Sequence, residues 1–191
     1  MMPVQKPTMT YADYLAFEEQ SDGKHEFLDG EVVAMAGGTP EHGALAMAMG
    51  AELRSALGDR PCRVFSSDVR IRIQVTGLTT YPDVSVVCAK LERDAEDSHA
   101  IVNPVLVVEV LSDSTEAYDR GEKAAHYRHI PSLREYVLVS QRHRRIEVFR
   151  RNEAGRWELF EFEGGTQCEL ASVGCSVNVD AVYRDPLAGV A

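Results

Sequence analysis

VLVVEVLSDSTEAYDRGEKAAHYR, residues 105–128, decides the fold. Its first six residues form a nearly continuous β-branched run, the pattern of a strand buried on both faces. The polar stretch 112–115 then reads as a loop. Asp119 and Glu122 have the spacing of a capping box, which predicts a helix from there to about His129, limited by Pro131. On that helix Asp119, Lys123 and Tyr127 are spaced by four and share one face.

Working outward, Tyr136–Val139, Ile146–Phe149 and Trp157–Phe162 read as strands. Upstream, Pro82-Asp83 introduces the apolar run Val84–Cys88. Before it, Val69, Ile71, Ile73 and Val75 alternate with Arg70, Arg72 and Gln74, which predicts a strand with one wet face. Residues 90–100 are charged and irregular, as in a surface loop. Thr10 with Asp13 resembles a capping box and predicts a short first helix. Phe27–Leu28, Asp29-Gly30 and Val32–Val33 read as a hairpin, because Asp-Gly tolerates the positive φ of a primed turn. Thr39-Pro40 opens a second helix, rich in Ala, Leu and Met, that Gly58 closes. Residues 169–183 are apolar but weakly periodic, a pattern for core packing ahead of an interface. The fold class expected is α/β or α+β, a mixed central sheet flanked by helices.

The 191 residues suit a single domain (1–191, core about 10–183), large enough to bury a core without disulfides. No run of 18 apolar residues is present, so no membrane span is expected. Met1–Thr10 lacks the pattern of a signal peptide, and the expected location is cytoplasmic. Cys62, Cys88, Cys168 and Cys175 form no C-x-x-C pair and are expected to be reduced thiols. The net charge of −10 argues against bulk attraction to nucleic acid. A local basic stretch exists at Arg142, His143, Arg144, Arg145, Arg150 and Arg151; it reads as a solvated hairpin edge or a DNA contact.

Two carboxylates bear on chemistry. Asp83 precedes one apolar run and Glu109 lies inside another. A glutamate there is costly to bury unpaired, so a metal, a cation or a hydrogen-bond network must compensate it. If the two strands are neighbours, both acids can point at one spot. Hard oxygen ligands of this kind suit Mg²⁺, which can activate water and stabilise charge on a phosphoryl oxygen. Lys123 is the cation best placed to assist; the alternative is a surface pair with Asp119. No Gly-rich phosphate loop, G-x-S-x-G or H-E-x-x-H is present, and Gly37-Gly38 alone is a weak anion-binding signal.

The segments DGEVVAMAGGTPEH (29–42), YPDVSVV (81–87) and VEVLSDSTEAYDRGEKAAHYR (108–128) closely resemble the Uma-two family of restriction-endonuclease-like proteins. That bacterial family falls within the PD-(D/E)XK nuclease superfamily, and the resemblance runs from about Thr10 to Tyr183. It implies a metal-dependent endonuclease acting on DNA, with Mg²⁺ or Mn²⁺ and a homodimer. Asp83 matches the PD aspartate and Glu109 the second acid, both as metal ligands, with the Val110 carbonyl completing the site. Leu111 stands where the superfamily places its lysine, and Lys123 on the helix takes that part. Glu31 and His42 match positions commonly polar in the family and are further catalytic candidates. Asp68 is expected to form a turn, and Ser112, Ser114 and Thr115 to shape a loop. The Leu111 departure leaves a second reading, an inactive nuclease-fold module that binds DNA or protein.

Overall fold

The computed structural model describes residues 8–35 and 37–185. The N-terminal stretch read above for a signal peptide falls mostly outside them. Two sheets and one long helix are stacked. The larger sheet has the order β11-β10-β9-β8-β6-β3, from β3 (Cys62–Ser66), β6 (Val84–Cys88), β8 (Leu106–Leu111), β9 (Glu135–Ser140), β10 (Arg145–Arg151) and β11 (Trp157–Glu163). Its β8 and β9 are parallel and its other pairs antiparallel, so the sheet is mixed. The second sheet has the order β2-β1-β5-β4-β7, from β1 (His25–Leu28), β2 (Glu31–Ala34), β4 (Arg70–Ile73), β5 (Leu78–Thr80) and β7 (Ala100–Ile101).

Local chemistry accounts for the N-terminal elements. Thr10 and Asp13 cap helix α1 (Tyr11–Glu18) reciprocally. At the β1–β2 turn Asp29 and Gly30 both have positive φ, 49° and 83°, as a two-residue primed turn requires. Helix α2 (Pro40–Leu57) starts where the Thr39 hydroxyl accepts the His42 N–H, and Gly58 ends it at φ 54°.

The larger sheet is buried on both faces. On one side α2 inserts Met49, Leu53 and Leu57 against Val84, Val86, Val108 and Val110. Each such side chain contributes about 1.5–3 kcal/mol when fully buried. The hairpin β12 (Gln167–Leu170) and β13 (Cys175–Asn178), with the turn Val179–Val182, closes that cluster, so the weakly periodic C-terminal segment is core. On the other side Val107, Leu111, Tyr136 and Leu138 pack against Ile71, Ile73 and Leu78.

Five expectations are corrected. Strand β4 covers only 70–73, and Val75, 74% exposed, lies in the turn beyond. Its Arg70 is buried, because Asp97 folds back to receive the guanidinium at 2.9 Å and Tyr81 accepts from it at 3.1 Å. The segment 90–100 is therefore not simply a surface loop: Asp94 and Asp97 are buried, and β7 pairs in parallel with β4. The helix after β8 starts at Glu116 rather than Asp119. It is α-helical over Glu116–Tyr118, π over Asp119–Lys123 and α again over Ala124–Tyr127. Lastly, Cys62 and Cys88 form a disulfide, because the β3–β6 register sets them directly opposite; Cys168 and Cys175 are free thiols. Among the described residues no helix is long and apolar enough to cross a membrane.

Candidate functional site

Strands β6 and β8 are antiparallel neighbours, with Val84 opposite Val108. Asp83 therefore lies across from the Glu109 end of β8, and its Oδ2 accepts the Val110 N–H at 2.7 Å. Alternation along β8 sends Val108 and Val110 to the α2 side and Glu109 to the other. Glu109 is only 4% exposed.

The π-containing helix supplies the compensating charge. Lys123 Nζ lies 3.0 Å from Glu109 Oε1, 3.3 Å from Glu26 Oε1 and 3.6 Å from Asp119 Oδ1. Tyr127 donates its hydroxyl to Glu109 Oε1 at 2.8 Å. A π turn widens the helix, and such turns often mark functional sites. Here Asp119 and Lys123 both enter the cluster from it. The Tyr136 hydroxyl, from β9, donates to the Asp119 carbonyl at 2.9 Å and anchors the turn. Tyr118 donates to Glu26 Oε2 at 3.1 Å, and the Thr80 hydroxyl donates to Glu26 Oε1.

Three carboxylates (Glu26, Glu109 and Asp119) thus surround one buried ammonium, and Asp83 stands at the neighbouring position across the β6–β8 pair. Burial pushes Glu109 up to about 8; Lys123 opposes this, and Asp83 and Asp119 add to it. Burial also raises Asp119, against the pull of Lys123. For Lys123, burial disfavours the charge, but Glu109, Glu26 and Asp119 together outweigh it and hold the pKa above its ordinary value. The cluster carries surplus negative charge, which a divalent cation would offset. Among the described residues no three His, Cys, Asp or Glu side chains form a metal-binding group. Asp83, Glu109 and the Val110 carbonyl are instead two carboxylates and a backbone oxygen, a set that fits Mg²⁺ with its retained waters.

His42 enters from the first turn of α2. Its Nε2 lies 3.2 Å from Asp83 Oδ2, and the ring also hydrogen-bonds to the Val110 backbone. The Asp83 hydrogen bond holds its pKa above the ordinary value, against burial. Gly38 explains the Gly-Gly pair that precedes the helix. A Cβ at Gly38 would stand 2.7 Å from His42 Nδ1, so the glycine lets the loop lie flush against the ring.

The structure thus brings Asp83, Glu109, Val110, Lys123 and His42 together. Glu31 is exposed at the first position of β2. Asp68 pairs with Lys24 at 2.8 Å and accepts from the Ser66 hydroxyl at 3.1 Å, a turn arrangement. Ser112 shares its hydroxyl with Ser114 and Thr115, at 3.1 and 2.9 Å, within the loop after β8. Sequence reasoning missed Glu26 and Tyr118, for which no local signal exists, and read Asp119 as a cap. Four members of the basic stretch make ion pairs: Arg142 with Asp113, Arg144 with Asp180, Arg145 with Glu147 and Arg150 with Glu135.

The chain is similar to several known proteins. Residues 11–180 match the Uma2 family model, described as "Putative restriction endonuclease". Two proteins of Synechocystis sp. (strain ATCC 27184 / PCC 6803 / Kazusa) are similar. "Uncharacterized protein slr1290" is 39% identical over 178 residues, 93% of each chain. "Uncharacterized protein sll1609" is 36% identical over 156 residues, 82% of this chain and 88% of that one. A crystal structure from Anabaena variabilis ATCC 29413, described as "a putative nuclease belonging to DUF820", superimposes with a TM-score of 0.74 at 16% identity. That match covers 92% of this chain and 97% of the other, and shows a shared fold.

Proposed function

The chain belongs to the Uma2 family, and from that premise we propose that it is a metal-dependent endonuclease hydrolysing DNA phosphodiester bonds. The observation that carries this reading is the surplus of carboxylates where β6 meets β8, balanced by the single buried Lys123. Asp83, Glu109 and the Val110 carbonyl would hold Mg²⁺ or Mn²⁺. The bound cation would supply Lewis-acid stabilisation of a phosphoryl oxygen and make water more acidic.

The chain's own residues do the rest. Lys123 Nζ keeps its proton and offers N–H groups toward charge that develops on the phosphate. Tyr127 fixes the Glu109 carboxylate, and Glu109 gives up its proton when a cation takes the place of that charge compensation. His42 orients Asp83, which the Val110 N–H holds from the other side. Every group named comes from one chain, so the hydrolytic step is complete within a protomer. A homodimer would present two such sites. We place its action in the cytoplasm, where DNA would be met.

Leu111 supports a second reading, a nuclease-fold module that only binds DNA or protein. It is buried in the core where the superfamily motif has lysine. Lys123, 3.0 Å from Glu109, supplies that cation from the helix instead, which favours the enzyme. The deciding experiment is nicking of supercoiled plasmid with Mg²⁺ or Mn²⁺ by wild type and by Asp83→Ala. Cleavage by the wild type alone is expected. Equal cleavage by both, or by neither, would overturn the reading.

A further inference from the structure

A groove of about 800 Å³ opens beside Asp83 and His42 and runs along α2 toward Arg54, with Val64 and Phe65 of β3 on its other wall. Three of its properties bear on what it holds.

The first is its depth. The Asp83 and His42 side chains are 16% and 19% exposed, so a scissile phosphate must descend to them. A flexible single strand can thread such a groove, whereas a rigid duplex presents both strands at once.

The second is its lining. Gly43 and Gly50 of α2 lie along it, and a Cβ at Gly43 would meet nothing within 4 Å. The fold's own packing does not require that glycine; its absent side chain leaves room in the groove. Met47, also on the lining, is 72% exposed. A flexible, polarizable side chain of this kind makes favourable contacts with flat aromatic rings.

The third is charge. Of the two cations on the groove, Lys24 is paired with Asp68 at 2.8 Å and Arg54 donates to the Gly58 carbonyl at 2.9 Å. On the β9–β10 turn and β10, Arg142, Arg144, Arg145 and Arg150 are ion-paired. A duplex is held chiefly through cations that neutralise phosphates. Single-strand binding combines a few backbone cations, here Lys24 and Arg54, with base contacts to apolar and aromatic side chains such as Met47 and Phe65.

We infer that the groove takes single-stranded or unpaired DNA, with bases against Met47 and Phe65 and the sugar–phosphate chain led to Asp83. This rests on the nuclease reading and deepens it by naming the form of the substrate.

The test is fluorescence anisotropy of the full chain with a labelled oligonucleotide, single-stranded or annealed to its complement, with Ca²⁺ replacing Mg²⁺ to hold off cleavage. The single strand is expected to bind on the order of tenfold more tightly than the duplex. Met47→Ala, which adds no charge, is expected to cost the single strand roughly fivefold and the duplex less, with the thermal midpoint unchanged. Phe65→Leu should weaken the single strand in the same direction. Equal affinity for both forms, no binding of either, or a Met47→Ala protein that binds the single strand like wild type would overturn the inference. Plasmid nicking separates it from the reading beneath it. A protein that nicks but prefers no form loses this inference alone. One that prefers the single strand yet never cleaves loses hydrolysis alone.

Discussion

Lys123 Nζ lies 3.0 Å from Glu109 Oε1, and both side chains are almost wholly withdrawn from water. Each compensates the other, and Glu26 and Asp119 share in holding the lysine. Removing one partner of a buried pair typically costs about 3–5 kcal/mol, because the remaining charge stays uncompensated.

Lys123→Met is therefore expected to destabilise the metal-free protein by about 3 kcal/mol at pH 8. The loss should be much smaller at pH 5, where Glu109 is protonated. Adding Glu109→Gln should recover most of it. Urea titrations of the three proteins at both pH values measure this.

Glu109 itself predicts a pH dependence. Its pKa is pushed up from 4.5 to about 8 by burial. Across that window the folded protein holds a proton that the unfolded chain has lost. The stability of the metal-free protein is thus fully present below the window and falls as pH rises through it. The slope approaches about 1.4 kcal/mol per pH unit for one group. Glu109→Gln should flatten the curve. Millimolar Mg²⁺ should raise the alkaline end in wild type only, since a ligand of the folded state stabilises by mass action. Thermal midpoints from pH 5 to 8, with and without Mg²⁺, would show it; a flat wild-type curve would refute it.

Gly38→Ala puts a methyl group where the His42 ring now lies. We expect the ring to be displaced from Asp83 and cleavage to fall on the order of tenfold, as loss of one orienting hydrogen bond does. The thermal midpoint should scarcely move. His42→Ala should show a similar loss, and combining the two should add little. Single-turnover rates on all three proteins provide the comparison.

Far from the site, Asp97→Asn removes the charge that receives Arg70. The buried guanidinium is then uncompensated, and about 3 kcal/mol of stability should be lost. Mg²⁺ affinity measured by calorimetry should be unchanged, which separates this pair from the proposed metal site.

Much of this was legible in the sequence because it is local or periodic. Thr10 with Asp13, Asp29-Gly30 and Thr39-Pro40 announce their turns and caps through neighbours three or fewer residues away. Glu109 declared itself by being charged inside an apolar run. What escaped reading depends on pairings between distant segments. Glu26 joins the cluster only because β1 pairs with β5, which brings Thr80 alongside it. Arg70 reads as a wet-face residue until Asp97 covers it. Cys62 and Cys88 meet through the β3–β6 register, which their spacing alone does not reveal. Asp119 was legible as a helix residue but not as a site residue. A helix start and a π turn can both begin with an acid.

That π turn ties the charge cluster to chain length. The turn over Asp119–Lys123 accommodates more backbone than a regular α-helix would in the same span. Deleting one residue there would let the helix close as an unbroken α-helix, with better hydrogen-bond geometry. Asp119 would then stand three residues before Lys123 and Tyr118 four, so the side chain that meets the lysine would change. The chain would gain a sounder helix and redraw its charge cluster, so one residue of apparent surplus sets which groups reach the buried ammonium.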